Sequence, residues 1–379
     1  MAGVRRGHNE GSIYKRPDGR WVAQLTVEPG KRKSFYAATR QEAQRLLTKA
    51  LRDRELGLAP GEDRQTVAQY LTAWLETVRP PKLVHETWVR YRHDVETHLI
   101  PALGRTRLTR LTAQQVQLCY ARLTSADGAG LSSTSALHAH HVLHRALESA
   151  FRLGIVPRNV AAMVERPRKR HVDIHPLTRE QAKAYLSAAE GERLAALFVL
   201  ALSTGMRLGE LLALRWNDLD LAAQRVSVNA TLKWRDATFV LAAPKSKYSR
   251  RQIALTAHTA EALRRHLVAQ RVERLAAGPE WQGGVWGLVF ANEIGQPLME
   301  GHVRRQHWAL CRAALVPRVR LHDLRHTAAT LLLGQRVNPK VVSEMLGHSS
   351  VSITLDIYSH VLPDMQQDAA AAMAVALGW

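Results

Sequence analysis

Leu321-His322-Asp323-Leu324-Arg325-His326, Leu346-Gly347-His348 and Ile357-Tyr358-Ser359-His360 follow one another closely near the carboxyl end of the chain. His322 and Arg325 stand three apart, so on a helix they share one face. His348 follows a glycine suited to closing the preceding helix, which makes its ring project from a turn rather than from a packed stripe. Tyr358 lies in a further periodic run, 351–361, and its hydroxyl is the nucleophile candidate nearest these cations. The pattern predicts short helices joined by tight turns, with cationic side chains converging on one tetrahedral anion.

The chain of 379 residues carries 53 Lys and Arg against 33 Asp and Glu, a formal net charge of +20. Self-repulsion on that scale points to a polyanionic partner. The excess is spread along the chain, densest in Arg166-Pro167-Arg168-Lys169-Arg170, as suits a protein that encircles a duplex. Nearly half of the residues are apolar, enough for two or three cores at this length. Cys119 and Cys311 are too far apart to suggest a metal site, and they indicate a reducing, intracellular compartment, expected to be the cytoplasm. The first residues show no apolar stretch of the signal-peptide kind. The longest apolar run, Leu194 to Leu202, is too short to cross a bilayer, so no membrane role is expected.

Reading forward, residues 11–36 have the rhythm of three short strands, Ser12–Lys15, Arg20–Val27 and Arg32–Tyr36, broken at Pro17-Asp18-Gly19 and Pro29-Gly30. Thr39 then caps a helix reaching about Leu56. Trp21, Tyr14 and Phe35 are expected on one face, with Lys15, Arg16, Arg20, Lys31, Arg32 and Lys33 at edges and turns. A basic sheet of this size fits a DNA major groove. From Thr66 the period becomes helical: Val67, Tyr70, Leu71, Trp74, Leu75 and Val78 share a face. Further helices are expected from about Glu86 to Pro101, over Ala113–Thr124 and over Ser132–Leu153. The last holds His138, His140, His141 and His144. Some of these pairs have metal-ligand spacing, but without a cysteine or carboxylate set the expected role is contact with phosphate or solvent. The run containing Arg168, Lys169 and Arg170 reads as an extended linker that binds backbone phosphate without reading sequence.

Thr178 caps the next helix, and Leu194–Ser203 reads as a buried one ending at Thr204-Gly205. Arg207 follows at the mouth of helix Leu208–Leu214, where a cation beside a buried run needs an anionic partner. Arg225–Leu232, Thr238–Ala243 and Arg250–Thr256 read as one three-stranded antiparallel sheet, with Pro244-Lys245-Ser246-Lys247-Tyr248 as the hairpin tip between the last two. Helices follow at about His258–Ala277 and Glu300–Leu315. Asp364–Trp379 forms an alanine-rich apolar helix expected to pack on a neighbouring subunit.

Thr204-Gly205-Met206-Arg207-Leu208-Gly209-Glu210, the Lys245 segment, His322-Asp323-Leu324-Arg325-His326, Leu346-Gly347-His348 and Tyr358 occur in the order and approximate spacing of the tyrosine recombinases. The phage-integrase type is the one the chain most resembles, and the likeness covers nearly its whole length. It implies a mainly α, multidomain protein with small antiparallel sheets. Residues 1–57 would be an arm-type DNA-binding domain, 65–165 a helical core DNA-binding domain, and 175–379 the catalytic domain with its tail helix. By the same resemblance, Arg207 and Arg325 clamp the scissile phosphate with His348 as third donor, and Tyr358 attacks phosphorus to form a 3′-phosphotyrosyl link. His322 handles the phenolic proton and Lys245, with Lys247 as the alternative, protonates the leaving 5′ oxygen. Glu210 would orient Arg207, and His326 would stand behind the site. A homotetramer on double-stranded DNA is implied, with a DNA-bending protein and an excisionase as accessory partners, integrating or excising a mobile element.

The chemistry also holds without the family name. Charge gathers on oxygen as a phosphodiester is attacked, and planar guanidiniums stabilise it by preorganised hydrogen bonds. A phenol that ionises near pH 10 needs a base or a positive field to attack at neutral pH. The ester stores the bond energy for rejoining, so neither a metal nor any cofactor is expected, and no phosphate-loop glycine motif is present. Taken singly, each residue has a structural reading: His322-Asp323 as a cap, Tyr358 as a packed aromatic, Arg207–Glu210 as a bridge. The rivals are type IB topoisomerase-like relaxation and a catalytically silent DNA-binding regulator.

Overall fold

The computed structural model describes residues 11–28, 31–55, 64–169, 175–244, 247–358 and 365–378. Contacts divide the chain into two units, Met1–Val172 and Asp173–Trp379. Both are mainly helical, with small antiparallel sheets.

In the first unit, β1 (Ser12–Lys15), β2 (Trp21–Glu28) and β3 (Lys31–Ala37) form a sheet in sequence order, followed by α1 (Arg40–Glu55). The register sets Ile13 beside Ala23 and Ala23 beside Phe35. With Trp21 and Leu25 these residues face a small core shared with Ala43, Leu47 and Ala50 of α1. Tyr14 pairs with Val22 and Val22 with Tyr36. Because paired residues share a face and neighbours along a strand alternate, Tyr14 lies opposite Trp21 and Phe35, not beside them as the sequence reading had it. Tyr14 and Tyr36 flank Val22 on the outer face, and the Arg16 guanidinium stands 5.8 Å from the Tyr36 ring centre.

The helical part has α2 (Val67–Thr77), α3 (His85–His93), a π-helical stretch Asp94–Leu99, α4 (Ile100–Leu103), α5 (Ala113–Thr124) and α6 (Ser133–Arg152). Thr66 and Thr112 close capping boxes with Gln69 and Gln115, satisfying the first amides of α2 and α5. The expected stripe Val67, Tyr70, Leu71, Trp74 and Leu75 is buried. Pro101 does not end its helix. The Ile100 amide already reaches five residues back to the Val95 carbonyl, and Pro101 enters early in the renewed turn, where its missing N–H is not required.

In the second unit come α7 (Arg179–Ala189), α8 (Ala195–Thr204) and α9 (Leu208–Leu212), then strands β4 (Leu219–Asp220), β5 (Arg225–Val228), β6 (Thr231–Arg235), β7 (Thr238–Ala242) and β8 (Arg251–Ala254). Here the expected sheet is corrected. β4, β5 and β8 make one sheet, while β6 and β7 form a separate hairpin turning at Asp236 and Ala237, both at positive φ. The segment with Lys245 therefore joins two different sheets and is not the tip of a hairpin. Helices α10 (Ala257–Ala277), α11 (Gly283–Trp286), α12 (Glu300–Ala313), α13 (Asp323–Gly334), α14 (Pro339–Leu346), α15 (Val351–Tyr358) and α16 (Met365–Leu377) complete the chain. α8 is apolar all round and buried, at the centre of a core with Tyr185, Phe290, Leu263 and Val303. No helix among the described residues is long and apolar enough to cross a membrane.

Candidate active site

Two helix ends organise the site. α8 stops at Gly205 and α14 at Gly347, each in the left-handed conformation (φ 62° and 69°), which glycine adopts without strain. The glycines stand near one another: a Cβ on Gly205 would lie 2.5 Å from Leu346 Cδ2. Each carbonyl accepts from an arginine supplied by the other half of the site. Arg325 Nη1 donates to Gly205 O at 2.8 Å, and Arg207 Nη2 donates to Gly347 O at 3.2 Å. Arg325 is 4% exposed and Arg207's side chain 39% exposed, so one cation forms the floor and the other reaches the mouth.

Glu210 fixes Arg207. Its carboxylate accepts from Arg207 Nη1 at 2.8 Å and from the Arg207 amide at 3.0 Å. Arg251 holds the other side, Nη2 to Oε2 at 2.9 Å. Burial alone would raise the Glu210 pKa, but the hydrogen bonds and charge of Arg251 and Arg207 outweigh it and keep the group below its usual range.

His348 follows Gly347, and its Nδ1 lies 2.8 Å from the hydroxyl of the buried Thr354. Burial, then the charges of Arg325 and Arg207, push the ring's pKa down to about 4. His326 is likewise pushed to about 4 by burial and then His322. His322, at the N-cap of α13, is lowered by burial and by Arg325. All three are neutral at pH 7. His322 and His326 meet edge to face at 5.2 Å between ring centres. His322 and Arg325 also line a cavity of about 530 Å³ with Met206, Leu208, Trp308 and Arg320. Arg320 holds Asp323 by a bond of 2.8 Å, and the Val319 carbonyl accepts from buried His307 at 3.0 Å when that ring's proton is on Nε2. The approach to His322 is thus pinned on both sides.

Arg207, Arg325, His322 and His348 come together in one cluster. Lys245 and Arg170 lie outside the described residues, as do the side chains of Lys31 and Tyr358; the backbone of Tyr358 is the last residue of α15. Lys15, Arg16, Arg20, Arg168 and Lys169 are exposed, and Lys33 is half-buried. Lys15 and Lys33 pair with Trp21 and Leu25, so the pleat sets them at the rims of the helix-facing side. His140 is not a phosphate or solvent contact: it is buried, with Nδ1 3.0 Å from the Tyr120 hydroxyl. Among the described residues no group of three or more His, Cys, Asp or Glu could hold a metal ion. The sequence reading missed Arg251 and Thr354. The doublet Arg250-Arg251 at the mouth of a strand was the available signal for the first; nothing local marked the second.

The family model described as the phage integrase family matches residues 175–365, and that for the phage integrase N-terminal SAM-like domain matches 66–123. An integrase of Streptomyces ambofaciens is 32% identical over 397 residues, covering 97% of each chain. A XerC-like tyrosine recombinase of Caldanaerobacter subterraneus is 29% identical, covering 89% of this chain and 90% of its own. Among solved structures, the Tn1549 transposon integrase bound to circular intermediate DNA superposes with a TM-score of 0.69 at 21% identity, over 82% of this chain and 100% of that one. The lambda integrase tetramer on a Holliday junction gives 0.57 at 18% identity, over 92% and 96%.

Proposed function

Because the chain belongs to the phage integrase family, and so is a site-specific recombinase that breaks and rejoins DNA to move a mobile element, we propose that the cluster around Gly205 and Gly347 is its scissile-phosphate site. The observation that carries this is the reciprocal pair of arginine-to-glycine-carbonyl bonds. They hold two guanidiniums in fixed relation before any substrate arrives, the preorganisation that an oxyanion-stabilising site requires.

In this reading Arg207 and Arg325 bind the nonbridging oxygens. His348 adds a third hydrogen bond: with the Thr354 hydroxyl donating to Nδ1, the neutral ring carries its proton on Nε2. The Tyr358 oxygen attacks phosphorus. The bond from phosphorus to the 5′ oxygen breaks, the phenolic proton passes to neutral His322, and Lys245 protonates the departing 5′ oxygen. Rejoining is the reverse, with a new 5′ hydroxyl attacking the phosphotyrosyl ester.

The rest of the chain supplies DNA and partners. Residues 1–57 act as an arm-type domain that sets its basic sheet in a major groove, 65–165 grip the core site, and 175–379 do the chemistry. Arg168 and Lys169 track phosphates between the last two. Four copies assemble on paired sites, as lambda integrase does on a Holliday junction. α16, with Met373, Val375 and Leu377 exposed, packs on a neighbouring copy. An excisionase and a DNA-bending protein set direction, in the cytoplasm on the nucleoid.

The test is covalent capture. The full chain is incubated with sheared DNA from the replicon that carries its gene, adducts are recovered after denaturation, and the attached strand is sequenced. The expected product is a 3′-linked strand ending at one recurrent site. Tyr358→Phe is expected to give none while still retaining DNA; adducts that persist in this variant would assign the nucleophile elsewhere.

A further inference from the structure

Arg251 is 7% exposed on its side chain, and the reaction steps above give it no part. It opens β8, the strand that follows the Lys245 segment. Its Nε donates to Met345 O at 2.6 Å, in the last turn of α14, and its Nη1 donates to Ser249 O at 3.0 Å. Two further bonds reach Glu210: Nη2 to Oε2 at 2.9 Å and Nη1 to Oε1 at 3.3 Å. The ring of bonds is closed. Arg207 and Arg251 share one buried carboxylate, and each also holds a carbonyl of the same turn, Gly347 and Met345.

The charge count gives this ring its meaning. Paired with Arg207 alone, Glu210 would cancel the guanidinium that is to meet the phosphate. Shared between two guanidiniums, one carboxylate leaves the group a net cation. A buried carboxylate between buried Arg251 and half-exposed Arg207 also has its oxygens satisfied without drawing Arg207 away from the mouth. A side chain at Gly347 would be crowded as well as strained by its positive φ, since a Cβ would stand 3.0 Å from Arg251 Nη1 and 3.1 Å from Tyr248 O. The arginine is therefore packed directly beneath the residue that launches His348.

We propose that Arg251 is a positioning residue for strand cleavage: it offsets Glu210 so that Arg207 keeps its charge for the phosphate, and it fixes the α14 turn from which His348 projects. The proposal rests on the assignment of Arg207 and His348 to the scissile phosphate. It predicts a defect tied to the charge of the phosphate, which a purely structural role would not produce.

The test uses the full chain and a nicked duplex of the captured site, in two forms: an ordinary scissile phosphodiester and a neutral methylphosphonate, which develops less negative charge on attack. Adduct formation is followed in a single turnover at saturating protein. Arg251→Met keeps the length and removes the charge and the bonds. It is expected to slow the phosphodiester at least about 30-fold and the methylphosphonate no more than about 3-fold, while DNA affinity stays within about 2-fold. Arg251→Lys should fall between. Should the methionine variant lose its thermal transition, the lysine variant carries the comparison. Equal slowing on both substrates, or none on either, overturns the proposal. Absence of adduct with the unsubstituted chain would instead overturn the reading of the site.

Discussion

The basic sheet of the first unit and the cluster around Gly205 and Gly347 in the second both use arginine, in opposite ways. On the sheet, Arg20 pairs with Asp18 at 3.0 Å with its side chain 63% exposed, and Arg16 lies over Tyr36. In the cluster, Arg325 and Arg251 are almost wholly buried, each tied to a backbone carbonyl. Exposed pairs contribute roughly 0–1 kcal/mol, whereas removing one partner of a buried pair costs roughly 3–5 kcal/mol. Holding a duplex requires many cations, each free to adjust. Stabilising one transition state requires few, already in place. On the proposed reading, the difference in burial separates affinity from chemistry in a chain whose net charge alone would not.

Substitution at the buried end should break this contrast most sharply. Arg325→Lys keeps the charge but loses the planar fork and the reach to Gly205, so single-turnover adduct formation should fall about 100-fold while DNA affinity changes less than about 3-fold. An equal loss of both would mean that the cluster only binds. On the sheet the expectation is reversed. Arg16→Ala with Arg20→Ala should leave core-site cleavage unchanged and lower the slope of log affinity for arm-site DNA against log salt by about 2, roughly one per lost phosphate contact. An unchanged slope would remove these two residues from the interface.

The smallest effect is pH-dependent and sharpens the same comparison. His140, His326 and His348 are pushed down to about 4 by burial. Unfolded histidines titrate near 6.5, so between these values the unfolded chain binds more protons. Stability should therefore be full above about pH 6.5, fall as pH drops toward 4, and level off below. Bound DNA should flatten the fall, because phosphate favours protonated His348. Thermal midpoints from pH 7.5 to 4.5, with and without core-site DNA, read this directly; a midpoint that rises on acidification would contradict the burial of these rings.

Much of this was legible in the sequence because helices are local. Thr39 and Thr178 announce their caps, and the stripe from Val67 to Leu75 has the period that burial on one side demands. The ordered motifs around Arg207, Arg325 and His348 made that cluster readable as well. What failed was nonlocal. The alternation runs on through Asn229-Ala230, so β5 and β6 read as one strand, and only pairing partners reveal that β7 never meets β8. The face of Tyr14 was misassigned because Gly19 and its neighbours set the register, and one residue of slip exchanges the two sides. Arg251 was overlooked for a related reason: its partners Glu210 and Met345 are distant in sequence, and half of its bonds are to backbone.

That last point bears on Gly205 and Gly347. Since main-chain oxygens locate the arginines, the spacing between two helix ends serves as the ruler of the pocket, and side chains around it are free to vary as long as those ends keep their distance. A methyl group added at Gly205 would press on Leu346, the residue just before the second anchor, and so would load the joint between the two helix ends with a single carbon.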